Sequence, residues 1–125
     1  MARIQHRSKR KVSGGRYHQS RSKRRYELVG NVANTKLGDE KRVKTQRIIG
    51  GNNKESILVV KEINVADKKG KTVKAEMANV VENPANPNLV RRNIITKGAI
   101  VETKLGKVRI TSRPGQEGSV NGVLV

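Results

Sequence analysis

The apolar residues of this chain come in short runs of Val and Ile, each bounded by Gly, Asn, Asp or Pro, and this pattern limits the fold more than any other feature. The longest uninterrupted aliphatic run is Ile57-Leu58-Val59-Val60. It falls far short of the roughly 20 residues of a membrane span or the ~7 of a signal-peptide core, so a soluble, unexported protein is expected. Within the runs the period is two: Val73, Ala75 and Met77 alternate with Thr72, Lys74 and Glu76, as in a half-buried strand. Phe and Trp are absent and Tyr17 and Tyr26 are the only aromatics, so branched aliphatics must supply the buried area. Strands accommodate such side chains best.

Residues 43–125 are therefore read as an all-β domain, a small barrel of about six short strands. The runs fall at 43–49, 57–65, 71–81, 99–103, 107–111 and 119–125. Asp67-Lys68-Lys69-Gly70 reads as a hairpin turn, Lys104-Leu105-Gly106 as a tighter one, and Arg113-Pro114-Gly115-Gln116-Glu117-Gly118 as a turn in which Pro sets φ. The last three runs are expected to form a meander. Pro84 and Pro87 exclude a central strand between them. Asn86 is placed to cap one helical turn with Pro87 at its first position and Arg91 and Arg92 at the surface. Thr-Lys-Leu-Gly occurs at 35–38 and again at 103–106, too short a match for a structural repeat.

Charge divides the chain differently. Residues 1–26 hold ten Lys and Arg and no acid, residues 27–47 five against three, and residues 48–125 thirteen against seven, for a net charge of +18. The first block has little to bury and is read as an extended basic arm, disordered in the free protein. Residues 27–42, punctuated by Asn31, Asn34, Gly38 and Asp39, are read as a linker.

Catalytic arrangements are thin. Cysteine is absent, which removes disulfides, thiolate metal sites and Cys nucleophiles together and fits a reducing compartment. His6 and His18 sit in the cationic arm, whose field disfavours bound metal ions. Asp39-Glu40 is the only adjacent acid pair and has no histidine nearby in sequence. No enzyme, cofactor or metal is expected. Ser13-Gly14-Gly15-Arg16 lacks the spacing of a nucleotide-binding loop, and Glu117 within Gly115-Gln116-Glu117-Gly118 would repel phosphate. Gly14-Gly15 remains either a bend that lets backbone approach a phosphate or a plain hinge.

The arm itself is the strong signal. Ten positive charges with no acid repel one another unless a partner neutralises them. A mitochondrial presequence would show an amphipathic helix, which Gly14-Gly15 denies, and a membrane-binding segment would need Trp, Phe and Leu on one face. Nucleic acid is the remaining partner. Arg supplies bidentate phosphate contacts, and Tyr17 and Tyr26 can stack on bases. No recognition helix or zinc finger is present for reading a DNA major groove.

Particular strings narrow this further. Ser8-Lys9-Arg10-Lys11-Val12-Ser13-Gly14-Gly15-Arg16, Ser22-Lys23-Arg24-Arg25-Tyr26-Glu27-Leu28, Thr35-Lys36-Leu37-Gly38, Asn79-Val80-Val81-Glu82-Asn83-Pro84-Ala85-Asn86, Asn93-Ile94-Ile95-Thr96-Lys97-Gly98-Ala99 and Thr111-Ser112-Arg113-Pro114-Gly115-Gln116 follow one another in order. Together they closely resemble the eukaryotic and archaeal small-subunit ribosomal protein eight family over nearly the whole chain. The compact length is similar to the archaeal form. The resemblance implies a structural protein of the small ribosomal subunit, a β-barrel with an N-terminal extension inserted among rRNA helices, and no enzymatic activity. Two departures stand out: Ser13 where the family usually has Thr, which keeps the hydroxyl, and Ile49 before Gly50-Gly51-Asn52 where it usually has Arg. The second is expected to remove one phosphate contact.

Matching motifs and charge map together nominate Arg7, Lys9, Arg10, Lys11, Arg16, Arg21, Lys23, Arg24 and Arg25 as phosphate contacts, with Tyr17 stacking. Lys36, Arg91, Arg92, Lys97 and Arg113, on turns beside the barrel, form a second tier. The expected partners are small-subunit rRNA and neighbouring ribosomal proteins in the cytoplasm, with no membrane and no small-molecule substrate. A ribosome-assembly factor and a chromatin-type DNA-compacting protein are the alternatives.

Overall fold

The computed structural model describes residues 8–19, 21–22, 24–67 and 69–125. The chain forms two compact units, Met1–Val32 and Ala33–Val125. The first contains no buried residue among those described. Its local structure is a tight loop between Lys9 and Tyr17 and a 3₁₀ turn at Arg25–Glu27.

The second unit is all-β. Its strands are β1 (Lys36–Leu37), β2 (Arg42–Arg47), β3 (Asn53–Val60), β4 (Glu62–Ala66), β5 (Thr72–Glu82), β6 (Ile100–Thr103), β7 (Gly106–Ile110) and β8 (Asn121–Leu124). Strands β4 to β8 close into a five-stranded barrel, antiparallel throughout except where β8 returns beside β4 in parallel. The expected meander is β6-β7-β8. The remaining three strands form a separate sheet in the order β1-β3-β2. The unit starts upstream of residue 43 because residues read as linker pair with it: β1 runs parallel to β3, and the buried Thr35 hydroxyl donates to the Ile57 carbonyl at 2.6 Å.

The run at 57–65 is two strands, not one. Ile57, Val60, Ile63 and Val65 are all buried, and the three-residue steps at the junction break the period-two alternation. Lys61 is where the chain leaves one sheet for the other. The run at 43–49 likewise ends early: β2 stops at Arg47, and Gly50 and Gly51, with φ of +77° and +76°, turn the chain through a 3₁₀ segment at Ile49–Gly51. Along β5 the inward set is Ala75, Met77 and then Val80, while Val73 is exposed. A register shift between Met77 and Asn79 accounts for the three-residue step, since a bulge moves the next inward position on by one.

The barrel interior is aliphatic, with Ile63, Val65, Val101, Val108 and Ile110 each at most 1% exposed. Gly122 lets β8 close against it. A Cβ there would lie 2.5 Å from Val108 Cγ1 and 3.0 Å from both the Arg109 carbonyl oxygen and Ile63 Cδ1. Gly122→Ala is expected to destabilise the unit by about 1–3 kcal/mol through overpacking, read as a lowered melting temperature. An unchanged melting temperature would show that β8 closes more loosely than these distances imply.

The turns are built as their residues dictate. Gly70 has φ of +80° and its N–H donates to the Asp67 carbonyl; Lys68 of that turn lies outside the described residues. Pro87–Arg92 forms a short 3₁₀ helix, with the Asn86 side chain accepting from the Asn88 N–H at 3.0 Å and Asn93 ending it at φ +49°. The two Thr-Lys-Leu-Gly segments do different work, one in β1 and the other in the β6–β7 hairpin, where the Thr103 hydroxyl donates to the Gly106 carbonyl.

Candidate nucleic-acid interface

Lys9, Arg10, Lys11 and Arg16 lie together on the loop of the first unit. An antiparallel bridge between Arg10 and Arg16 closes it. The Lys11 N–H donates to the Gly15 carbonyl at 2.7 Å, and that of Tyr17 to the Lys9 carbonyl at 3.1 Å. Gly14 turns the chain at φ +85°, a conformation that costs glycine little, so the Gly14-Gly15 pair is a bend. The Arg10 guanidinium donates to the Gly14 carbonyl at 3.2 Å. All four cations are exposed. Tyr17 is exposed too, and the Lys11 ammonium lies 5.8 Å from its ring centroid. A base stacking on that face has to displace the ammonium.

Arg21 is differently placed. Its guanidinium grips Glu27 through two contacts, of 2.6 and 3.3 Å, and the hydrogen bond to that carboxylate raises the Arg21 pKa above its ordinary value. Glu27 also accepts from the Arg24 N–H at 2.9 Å, so the pair organises the 3₁₀ turn. Arg24 and Arg25 are exposed on it. Arg7 and Lys23 lie outside the described residues.

In the second unit the sheet brings Lys36 beside the 3₁₀ helix that carries Arg91 and Arg92. Lys36 forms an isolated bridge with Ile94, and the Leu37 N–H donates to the Asn93 carbonyl at 2.9 Å. Asn83, 2% exposed, holds the chain around that helix: its side-chain oxygen accepts from the Ala85 N–H and the Thr96 hydroxyl, and its amide donates to the Ile94 carbonyl. Lys97 shares a cavity with Arg109, which sequence reasoning did not nominate. Both line a shallow cavity of about 470 Å³ with Pro84, Gly98, Ile110 and Thr111, because the Gly98 N–H donates to the Ile110 carbonyl at 2.8 Å. Arg113 is exposed at the start of its turn, where its carbonyl accepts from the N–H groups of Gln116 and Glu117.

Several carboxylates of this unit are already taken. Arg42 pairs with Glu40, Lys61 with Asp39, Lys74 with Glu62 and Lys104 with Glu76. The Lys61 ammonium holds the Asp39 carboxyl below the usual carboxylate range, and Asp39 raises Lys61 in return. Such exposed pairs contribute little stability, but they lower the local charge. Lys36, Arg91, Arg92, Lys97, Arg109 and Arg113 have no carboxylate partner among the described residues. Lys44, Arg47 and Lys54 on β2 and β3 share this property and were not among the residues nominated from the sequence. A usable signal was present: Arg42-Val43-Lys44-Thr45-Gln46-Arg47 holds one apolar residue, too few for a strand with a buried face.

Residues 1–32 carry ten Lys and Arg against Glu27 alone, and residues 33–125 carry eighteen against nine. With that excess displayed on a small β-barrel and a basic loop, the molecule falls in the class of basic β-barrel proteins suited to a polyanion. It belongs to the Ribosomal protein S8e family, whose model matches residues 4–125. Relatives named small ribosomal subunit protein eS8 cover almost all of it. The protein of Methanocorpusculum labreanum is 53% identical over 122 residues, 97% of each chain. That of Methanosphaera stadtmanae is 53% identical over 120 residues, 94% of each chain. That of Nanoarchaeum equitans is 48% identical over 122 residues, 97% of this chain and 95% of its own.

Proposed function

We propose that this chain is a structural constituent of the small ribosomal subunit in the cytoplasm, where it binds and stabilises rRNA alongside neighbouring ribosomal proteins. Its role is architectural, not catalytic. The observation that carries this reading is the loop from Lys9 to Tyr17, which displays four exposed cations in a unit whose one carboxylate, Glu27, is already engaged by Arg21. Such a loop gains most from a chain of phosphates. The primary contacts are Arg7, Lys9, Arg10, Lys11, Arg16, Lys23, Arg24 and Arg25, with Tyr17 stacking; Lys36, Arg91, Arg92, Lys97 and Arg113 add a second set. Arg21 serves these contacts indirectly, by fixing the turn that presents Arg24 and Arg25.

Sedimentation of a cell extract through a sucrose gradient at moderate salt tests the proposal. The protein is expected to travel with mature small subunits. Confinement to subunit precursors would identify an assembly factor, and co-migration with DNA a chromatin component; either would overturn the reading.

A further inference from the structure

We propose that the β2–β3 hairpin is a second RNA-binding element, one that presupposes the rRNA-binding reading above and adds a contact made by a rigid projection with an apolar apex. Three observations meet here. Residues 39–53 are exposed without interruption, so β2 has no face packed on the core. The base of the hairpin is nevertheless fixed. The Ser56 hydroxyl donates to the Gly115 carbonyl at 2.9 Å, and the Ile57 N–H donates to the Pro114 carbonyl at 2.9 Å. Register then carries this order outward: Lys44 stands opposite Ser56, Gln46 opposite Lys54 and Arg47 opposite Asn53.

The apex is closed by the Ile48 N–H donating to the Asn52 carbonyl at 2.8 Å, with Gly50 and Gly51 making the turn. Ile49 stands on it 96% exposed, and Ile48 is 42% exposed. Cations along a free edge strand discourage sheet-to-sheet association, which accounts for Lys44 and Arg47 in isolation. It does not account for an isoleucine held out in water at the end of that strand. Uncompensated cations flanking an apolar tip fit a surface that offers phosphates beside less polar sugars and base edges. The wide, shallow minor groove of an RNA helix is such a surface. Lys44, Arg47 and Lys54 would meet the flanking phosphates while Ile48 and Ile49 rest in the groove. An apolar pocket on a neighbouring protein would suit Ile49 but would leave the cations unanswered.

The test uses the full chain and purified small-subunit rRNA, with affinity measured across a salt series. Replacing both exposed cations, Lys44→Gln with Arg47→Gln, is expected to reduce the slope of log affinity against log salt by about two. Ile49→Arg is expected to tighten binding and steepen the slope by about one, and Ile49→Glu to weaken binding. Because the chain has no cysteine, Ile49→Cys accepts a single iron chelate, and hydroxyl-radical cleavage of rRNA in reconstituted subunits should cluster around one helical groove. Wild-type slopes in every hairpin variant, or no cleavage from position 49, would overturn the hairpin contact while leaving the proposed function standing. Loss of incorporation in Ile49→Glu with unchanged binding to naked rRNA would assign the apex to a protein neighbour and overturn it equally. Failure of the unaltered chain to bind rRNA would strike the parent reading instead.

Discussion

Deleting residues 2–25 is expected to abolish tight incorporation into small subunits while leaving the melting temperature of the folded domain within a few degrees of the intact protein. The two halves of this expectation have separate physical grounds. The hydrophobic core, including the partly buried residues packed against it, is drawn from Leu37 to Leu124, and no described residue of the first unit is buried, so the deletion removes little apolar burial. It does remove ten of the 28 Lys and Arg and no acid. The loop from Lys9 to Tyr17 rests on a few hydrogen bonds of its own, which is little against a backbone ordering cost of about 1–2 kcal/mol per residue. Phosphates must supply the rest, and each contact also releases counterions. Thermal unfolding and subunit reconstitution measure the two halves independently. A truncated protein that enters subunits as readily as the intact chain would refute the division of labour, and a large drop in melting temperature would show that the domain depends on the arm.

How far the sequence reveals such a molecule depends on whether a feature is local. The barrel was legible because inward residues recur every second position through β4, β6 and β7, and because Gly70, Gly106 and the Asn86-Pro87 pair mark their turns by backbone chemistry alone. The break at Lys61 was not legible. The run from Ile57 to Val65 looks continuous, and only the two sheets it serves require Val60 and Ile63 to be buried three residues apart. The bulge after Met77 was hidden for the same reason.

The cations divide in the same way. Their density along the arm is a property of sequence, but their availability is not. Glu27 claims Arg21 from six residues away, and Asp39 reaches Lys61 across 22. Lys97 and Arg109 share a cavity only because a turn lays Gly98 against Ile110. β2 was misplaced because Val43, Ile48 and Ile49 suggested burial, whereas the residues between them are polar on both faces.

Salt is expected to govern the affinity for rRNA more strongly than any single side chain. With about six to ten phosphate contacts, each releasing counterions, binding should weaken by about 10³ to 10⁵ between 50 and 200 mM monovalent salt. Arg24 and Arg25 are exposed on a turn whose shape is fixed by the Arg21–Glu27 pair and by the Arg24 N–H, so replacing both side chains with Gln leaves that scaffold intact. The double variant should therefore lose affinity and about two units of slope together, the signature of two phosphate contacts rather than of a deformed loop. His18→Ala, which removes neither a Lys nor an Arg, serves as the control and is expected to leave affinity and slope near those of the intact chain. Filter binding or fluorescence titration of labelled rRNA at four or five salt concentrations resolves these slopes. A nearly flat profile for the intact protein would mean that stacking and direct hydrogen bonds, not phosphate neutralisation, hold it to RNA. A double variant that loses affinity at unchanged slope would place Arg24 and Arg25 in the architecture of the turn instead of on the phosphates.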